Sequence, residues 1–253
     1  MKIWIEPGGS SLEAEKLAHQ LNISLCRGPA EDLKKEDPAE LILRFHSGGL
    51  SLTGDGLEMQ GDLSRMLPRL KKGNLEREFL VKASRIKHLP ENPWAVDATA
   101  GMGEDSLLLA AAGYRVTLYE CNPVIAALLR DSLARASALP ELKDIVARME
   151  VREEDSIRAM AGLETPPDLI LLDPMFPERR KSALIKKKFQ LLQRLESPCA
   201  DEEEMLGAAL GAVPRRLVIK RPLKGPYLAG RKPDYSIMGK AIRYDCFIGN
   251  SPL

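Results

Sequence analysis

The sequence predicts a parallel α/β sheet wound with crossover helices, preceded by a small α+β unit. From Pro93 onward, strand-like apolar runs alternate with helical patterns, the rhythm of βαβ units. The first of those runs leads into a glycine turn and then a helix opening. Before residue 65 the rhythm is different: short strands and tight turns surround a single helix.

In the first unit, Lys2–Glu6 reads as a strand, and Ser11–Leu21 reads as a helix because its apolar residues recur near helical spacing after a serine cap. Leu41–Phe45 and Leu50–Thr53 flank His46-Ser47-Gly48-Gly49 as a hairpin, and Gly54-Asp55-Gly56 offers another turn. Arg65–Lys87 is rich in basic residues, and its helical stretch must end before Pro90 and Pro93. It reads as a linker that either lies over a substrate or is an ordinary exposed helix. In the second unit, strands are expected at Trp94–Ala98, Arg115–Glu120, Arg148–Arg152, Asp168–Asp173 and Arg215–Lys220. Helices are expected near 104–112, 123–138, 181–195 and 201–211. Tyr235–Met238 and Ala241–Ile248 turn at Gly239 and would add an antiparallel edge. The expected boundaries are 1–65, 66–92 and 93–253.

A chain of 253 residues, 44% hydrophobic, can bury one main core with a small appended one. Its net charge of +1 conceals an uneven distribution. Residues 178–194 carry seven basic residues against Glu178, and residues 214–245 carry nine against Asp234 and Asp245. Such concentration suits a polyanionic partner as well as it suits solvated faces. Met1–Glu6 lacks the apolar stretch of a signal peptide, and no run reaches the about 18 apolar residues of a membrane span. A soluble, cytoplasmic protein is expected. Cys26, Cys121, Cys199 and Cys246 are scattered and the chain has three histidines, so neither a disulfide framework nor a metal site is expected.

The chemistry concentrates in three places. Asp97-Ala98-Thr99-Ala100-Gly101-Met102-Gly103 joins a strand to a helix opening at Glu104-Asp105-Ser106. Gly101 and Gly103 let backbone approach a ligand closely. A dinucleotide loop would carry a third glycine where Ser106 stands, and Glu104 and Asp105 would crowd a pyrophosphate. The opening carboxylate, Asp97, instead suits a ligand with a cationic amino-acid end. Glu120 ends the next strand, placed to accept from both hydroxyls of a ribose, and Asp155, after the third strand, is a candidate acceptor for an adenine amino group. The third place is Leu169–Pro177, an apolar run ending in Asp173-Pro174-Met175-Phe176-Pro177. An exocyclic amine on a base needs an acceptor, a carbonyl beside it and a flat face. Asp173, Pro174 and Phe176 could provide these. The adjoining Arg179, Arg180 and Lys181, with Lys220 and Arg221 at the end of the fifth strand, would meet nucleic-acid phosphates.

At these residues the chain resembles the ribosomal RNA small subunit methyltransferase J family. The resemblance is carried by Val96–Gly103, by Glu120-x-Asn122-Pro123-Val124-x-Ala126-Ala127-Leu128-Leu129, by Leu172–Pro177 with Lys181-Ser182-Ala183-Leu184, and by Val218-x-Lys220-Arg221-Pro222. It implies a class I S-adenosylmethionine-dependent methyltransferase fold (Rossmann-like) and methyl transfer to N2 of a guanine in 16S ribosomal RNA, as naked RNA or in the small subunit. It also implies cofactor contacts at Glu104, Asp105, Glu120, Cys121, Asp155, Ser156 and Asp173. Some relatives carry Arg at the position of Glu104 and Ser at that of Asp155, which shifts the weight there to backbone contacts. The rival readings are an adenine-N6 methyltransferase, a non-catalytic RNA-binding assembly factor and, more distantly, a dehydrogenase.

Overall fold

The computed structural model describes residues 1–174, 190–192, 194–195 and 201–249. The chain divides into two compact units: Met1–Asp62 with Asn122–Arg135 and Glu178–Ser197, and Leu63–Cys121 with Ala136–Pro177 and Pro198–Leu253.

The first unit is built on a five-stranded sheet of order β2-β1-β3-β4-β5, formed by β1 (Lys2–Ile5), β2 (Leu25–Arg27), β3 (Ile42–His46), β4 (Gly49–Gly54) and β5 (Leu57–Met59). Strand β1 runs parallel to β2 and β3; β3, β4 and β5 form an antiparallel meander. Helix α1 (Ser11–Leu21) makes the β1–β2 crossover. Ser10 Oγ accepts from the Glu13 amide at its start, Asn22 closes its end at φ 51°, and Ala14, Leu17 and Ala18 form its buried stripe. The expected helix and hairpin are both present. Strands β2 and β5, three residues each, are too short to carry a periodic signal.

The second unit opens with three short helices, α2 (Leu67–Leu70), α3 (Lys72–Leu75) and α4 (Phe79–Ala83). The single helical stretch expected there is broken where Lys71 and Glu78 adopt extended ψ angles of 133° and 131°. The Asn74 side chain donates to the Pro68 carbonyl, and a two-pronged Arg69–Glu78 pair at 2.8 Å spans the breaks.

Seven strands follow in the order β11-β12-β10-β9-β6-β7-β8: β6 (Trp94–Asp97), β7 (Arg115–Tyr119), β8 (Met149–Arg152), β9 (Leu169–Leu172), β10 (Arg216–Pro222), β11 (Tyr235–Met238) and β12 (Ile242–Ile248). The five from β8 to β10 are parallel, and β12 and β11 add the expected antiparallel edge. All four residues of β9, the most central strand, are buried, as both covered faces of a parallel sheet demand. On one face Val96, Ile170, Leu172, Leu217 and Ile219 pack with Met160 of α8 (Ser156–Ala161) and with Leu206 and Ala209 of α9 (Glu202–Gly211). Helix α5 (Glu104–Ala111) packs on β7 and β8, next to α4 and to α7 (Pro140–Val146). Helices α7 and α8 were not expected from the sequence, and the expected helix at 181–195 lies largely outside the described residues. Helix α6 (Pro123–Ser137) matches its expected span.

The chain builds β6, β7 and β8 outward in one direction, then returns to place β9 on the other side of β6. Between β6 and β9 the winding reverses, and the carboxyl ends of those two strands open the crevice where such sheets bind ligands.

Candidate active site

Asp97 and Asp173 stand at the ends of the two strands that flank this reversal. Asp97 is 3% exposed. Its Oδ1 accepts from the Thr99 amide at 3.1 Å and its Oδ2 from the Ser106 hydroxyl at 2.5 Å. Burial pushes its carboxyl up to about 7, against the opposing pull of those two hydrogen bonds. Gly101 (φ 52°) and Gly103 (φ 76°) turn the chain into α5 through left-handed backbone, and the space a Cβ would take on Gly101 is open. The Gly101 amide donates to Glu120 Oε2 at 3.1 Å, so the glycine turn and the acid at the end of β7 are tied together.

Asp173 is held from two sides. Its amide donates to Thr99 Oγ1 at 2.6 Å, and its Oδ2 pairs with Lys220 Nζ at 2.8 Å. The same ammonium pairs with Asp105 Oδ2 at 2.7 Å, so Lys220 bridges the first turn of α5 and the end of β9. The surrounding protein desolvates Asp173 and pushes its carboxyl above the usual range, while Lys220 and Arg221 oppose the shift. Burial works to lower the Lys220 pKa, but the two carboxylates outweigh it and hold the ammonium well above its ordinary value. Tyr244, paired with Lys220 across β10 and β12, is buried and its hydroxyl is raised chiefly by that burial.

The turn therefore gathers Asp97, Gly101, Gly103, Asp105, Glu120 and Asp173 at one edge of the sheet, with Pro174 buried beside Asp173. Glu104 and Cys121 are exposed at the same edge. Asp155 is the N-cap of α8: its Oδ1 accepts from the amides of Ile157 and Arg158 at 2.9 and 3.2 Å, which commits that oxygen to the helix, and Ser156 behind it is buried. Two basic residues stand elsewhere than expected. Lys220, expected against phosphates, has its ammonium between two carboxylates. Arg221, expected there as well, is 1% exposed; its Nε donates to the Pro226 carbonyl at 2.9 Å and its guanidinium lies 3.8 Å from Glu202. Phe176, Arg179, Arg180 and Lys181 lie outside the described residues.

Thr99 and Ser106 were missed as site residues. Thr99 reads as a spacer in a small-residue turn and Ser106 only as the residue standing where a dinucleotide loop has its third glycine; only the adjacency of β6 and β9 brings Thr99 to Asp173. Among the described residues no group of three His, Cys, Asp or Glu side chains is placed to hold a metal ion, and no helix is long and apolar enough to cross a membrane.

A family profile described as "Putative SAM-dependent methyltransferase" matches residues 31–249. Curated relatives named ribosomal RNA small subunit methyltransferase J include one from Thioalkalivibrio sulfidiphilus, 40% identical over 93% of this chain and 92% of its own, and one from Dechloromonas aromatica, 37% identical over 88% and 94%. The chain belongs to this methyltransferase family. A crystal structure of a SAM-dependent methyltransferase from Neisseria gonorrhoeae, 26% identical, superposes with a TM-score of 0.74 over 100% of this chain and 98% of that one. The class I Rossmann-like fold and the use of S-adenosylmethionine follow, as the resemblance had implied.

The gathered residues fit that cofactor. The open face of Gly101 leaves room for a ligand against backbone, and Glu120, tied to the Gly101 amide at the end of β7, would offer an acceptor to a ribose there. Glu104 and Asp105 in the first turn of α5 make that helix end unsuited to a pyrophosphate.

Proposed function

We propose that this enzyme methylates N2 of a guanine in 16S ribosomal RNA of the small subunit, in the cytoplasm, with Asp173 as the group that orients the amine. The names of the curated relatives support ribosomal RNA as the substrate. The observation that carries the role of Asp173 is its double anchorage, by Thr99 at the backbone and by Lys220 at Oδ2, at the point where the sheet reverses.

S-Adenosylmethionine, when bound, supplies an electrophilic methyl group, so the protein's task is alignment and charge placement. Guanine N2 is a weak nucleophile because its lone pair is delocalised into the ring. With Oδ2 held by Lys220, Asp173 Oδ1 is the oxygen turned to the amine, and the Pro174 carbonyl is the second acceptor. Both favour pyramidalisation of nitrogen and receive positive charge as it develops. The proton leaves late, to Asp173 or to water. Phe176 as the stacking face and Arg179, Arg180 and Lys181 as phosphate contacts complete the reading from the sequence. Asp97, Gly101, Gly103 and Glu120 form the cofactor cradle, with Glu104, Asp105, Cys121 and the backbone at Asp155 and Ser156 along its rim.

Asp173→Ala is expected to reduce methyl transfer to ribosomal RNA by at least ~100-fold, the scale of losing one positioned electrostatic partner. Isothermal titration should still show cofactor binding. Undiminished transfer would remove Asp173 from the mechanism.

A further inference from the structure

The broken helical segment 67–83 carries the clearest feature that the methyl-transfer site leaves unused. Residues 65–87 hold eight basic side chains against Glu76 and Glu78. Glu78 is engaged by both arms of Arg69. Lys71, Lys72 and Arg77 are exposed, and among the described residues no ion pair engages any of the three. The apolar residues Leu80, Val81 and Ala83 are buried, and α4 packs against α5, β11 and β12. The segment is thus fixed to the sheet. Phe79 remains 37% exposed with the Lys82 ammonium 5.2 Å from its ring centre.

Its location is set by the packing of α4 on α5, β11 and β12. A side chain on Gly239 would come within 3.3 Å of the Phe79 ring, so Phe79 lies against the β11–β12 turn, where exposed Met238 and Lys240 also stand. That turn is at the same sheet edge as Lys220, because β12 begins opposite the end of β10. Arg69 lies in the electrostatic field of Asp105 and Glu104. Exposed cations and an exposed aromatic ring therefore lie on a segment whose last helix packs beside α5, the helix that carries Asp105 in its first turn.

We infer that Lys71, Lys72, Arg77 and Lys240, with Phe79, form the docking surface for the single-stranded RNA that flanks the target nucleotide. This rests on the reading of the enzyme as a ribosomal RNA methyltransferase. Uncompensated cations track a phosphate backbone, and an exposed ring accepts a base without regard to its identity. The assignment also supplies the phosphate contacts that buried Arg221 and carboxylate-bound Lys220 do not make.

The test is a triple variant, Lys71→Ala/Lys72→Ala/Arg77→Ala, assayed on a 16S RNA fragment and on 30S subunits from a strain lacking the gene. The KM for RNA should rise by on the order of 10- to 100-fold. The slope of log kcat/KM against log salt should become shallower by about 2, three single-strand phosphate contacts having been removed. Cofactor affinity by titration should stay within about two-fold, and Lys71→Arg/Lys72→Arg/Arg77→Lys should restore the KM. An unchanged KM and salt slope in the triple variant would overturn the surface while the wild type still methylates RNA. A KM that rises on 30S subunits alone would give the ridge a ribosomal-protein partner and overturn it as an RNA surface. A wild type that methylates no RNA refutes the underlying reading, and the surface falls with it.

Discussion

Lys220 holds the most consequential position at the scale of single residues. An ammonium shared between Asp105 and Asp173 opposes the desolvation that raises the Asp173 carboxyl. Among the described residues, the charged and titratable groups that act on Asp173 are Lys220 and Arg221 from β10, Asp105 from α5, Asp97 from β6 and Tyr244 from β12. Removing the ammonium leaves desolvation and two acids to raise the Asp173 pKa further. In Lys220→Met the acid limb of the kcat profile should move to higher pH, and Lys220→Arg should move it back; an unmoved limb would reduce Lys220 to a packing role. Asp97 gives a second dependence on pH. Its carboxyl, near 7 in the fold, is well above its unfolded value of 3.8. The folded state therefore binds more protons than the unfolded state between those limits, and its stability falls as pH rises through that window. Denaturant unfolding of the cofactor-free protein at pH 5 and pH 8 should show this loss, and Asp97→Asn should lessen it. Equal slopes in the two proteins would contradict the buried, partly protonated carboxyl.

Among the elements, those with a periodic apolar pattern were legible in the sequence and those without one were not. Helix α1, the β3–β4 hairpin, the five parallel strands and the β11–β12 edge all announce themselves by spacing, caps or turn residues. Helix α8, six residues long, begins at a run of acids that reads equally as a loop, and the 67–83 segment carries a helical pattern that Lys71 and Glu78 interrupt. Asp155 shows how an element can claim a site residue. Its Oδ1 caps α8, so Asp155→Ala should lower stability by ~1 kcal/mol, whereas Asp155→Ser, which retains a capping oxygen, should restore most of it. Cofactor affinity should stay within about two-fold in the serine variant. A large loss there would return the carboxylate to an adenine contact.

For the whole molecule, the reversal between β6 and β9 turns residues far apart in sequence into one site. Asp97 and Asp173 could each be picked out along the chain as a carboxylate at a strand end. Their partners could not: Thr99 and Asp173 are joined by strand order, and Lys220 faces Asp105 and Asp173 because β10 lies beside β9. The basic residues at the end of β10 look alike in sequence, yet one is committed to carboxylates and the other is buried, since packing decides which charge reaches solvent. The central claim, methyl transfer to a guanine amine of small-subunit RNA, is tested most directly by incubating 16S RNA and 30S subunits from a strain lacking the gene with labelled S-adenosylmethionine and mapping the modified nucleotide. Label is expected at N2 of one guanine in 16S RNA; label at N6 of an adenine, or no label in either substrate, would refute that chemistry.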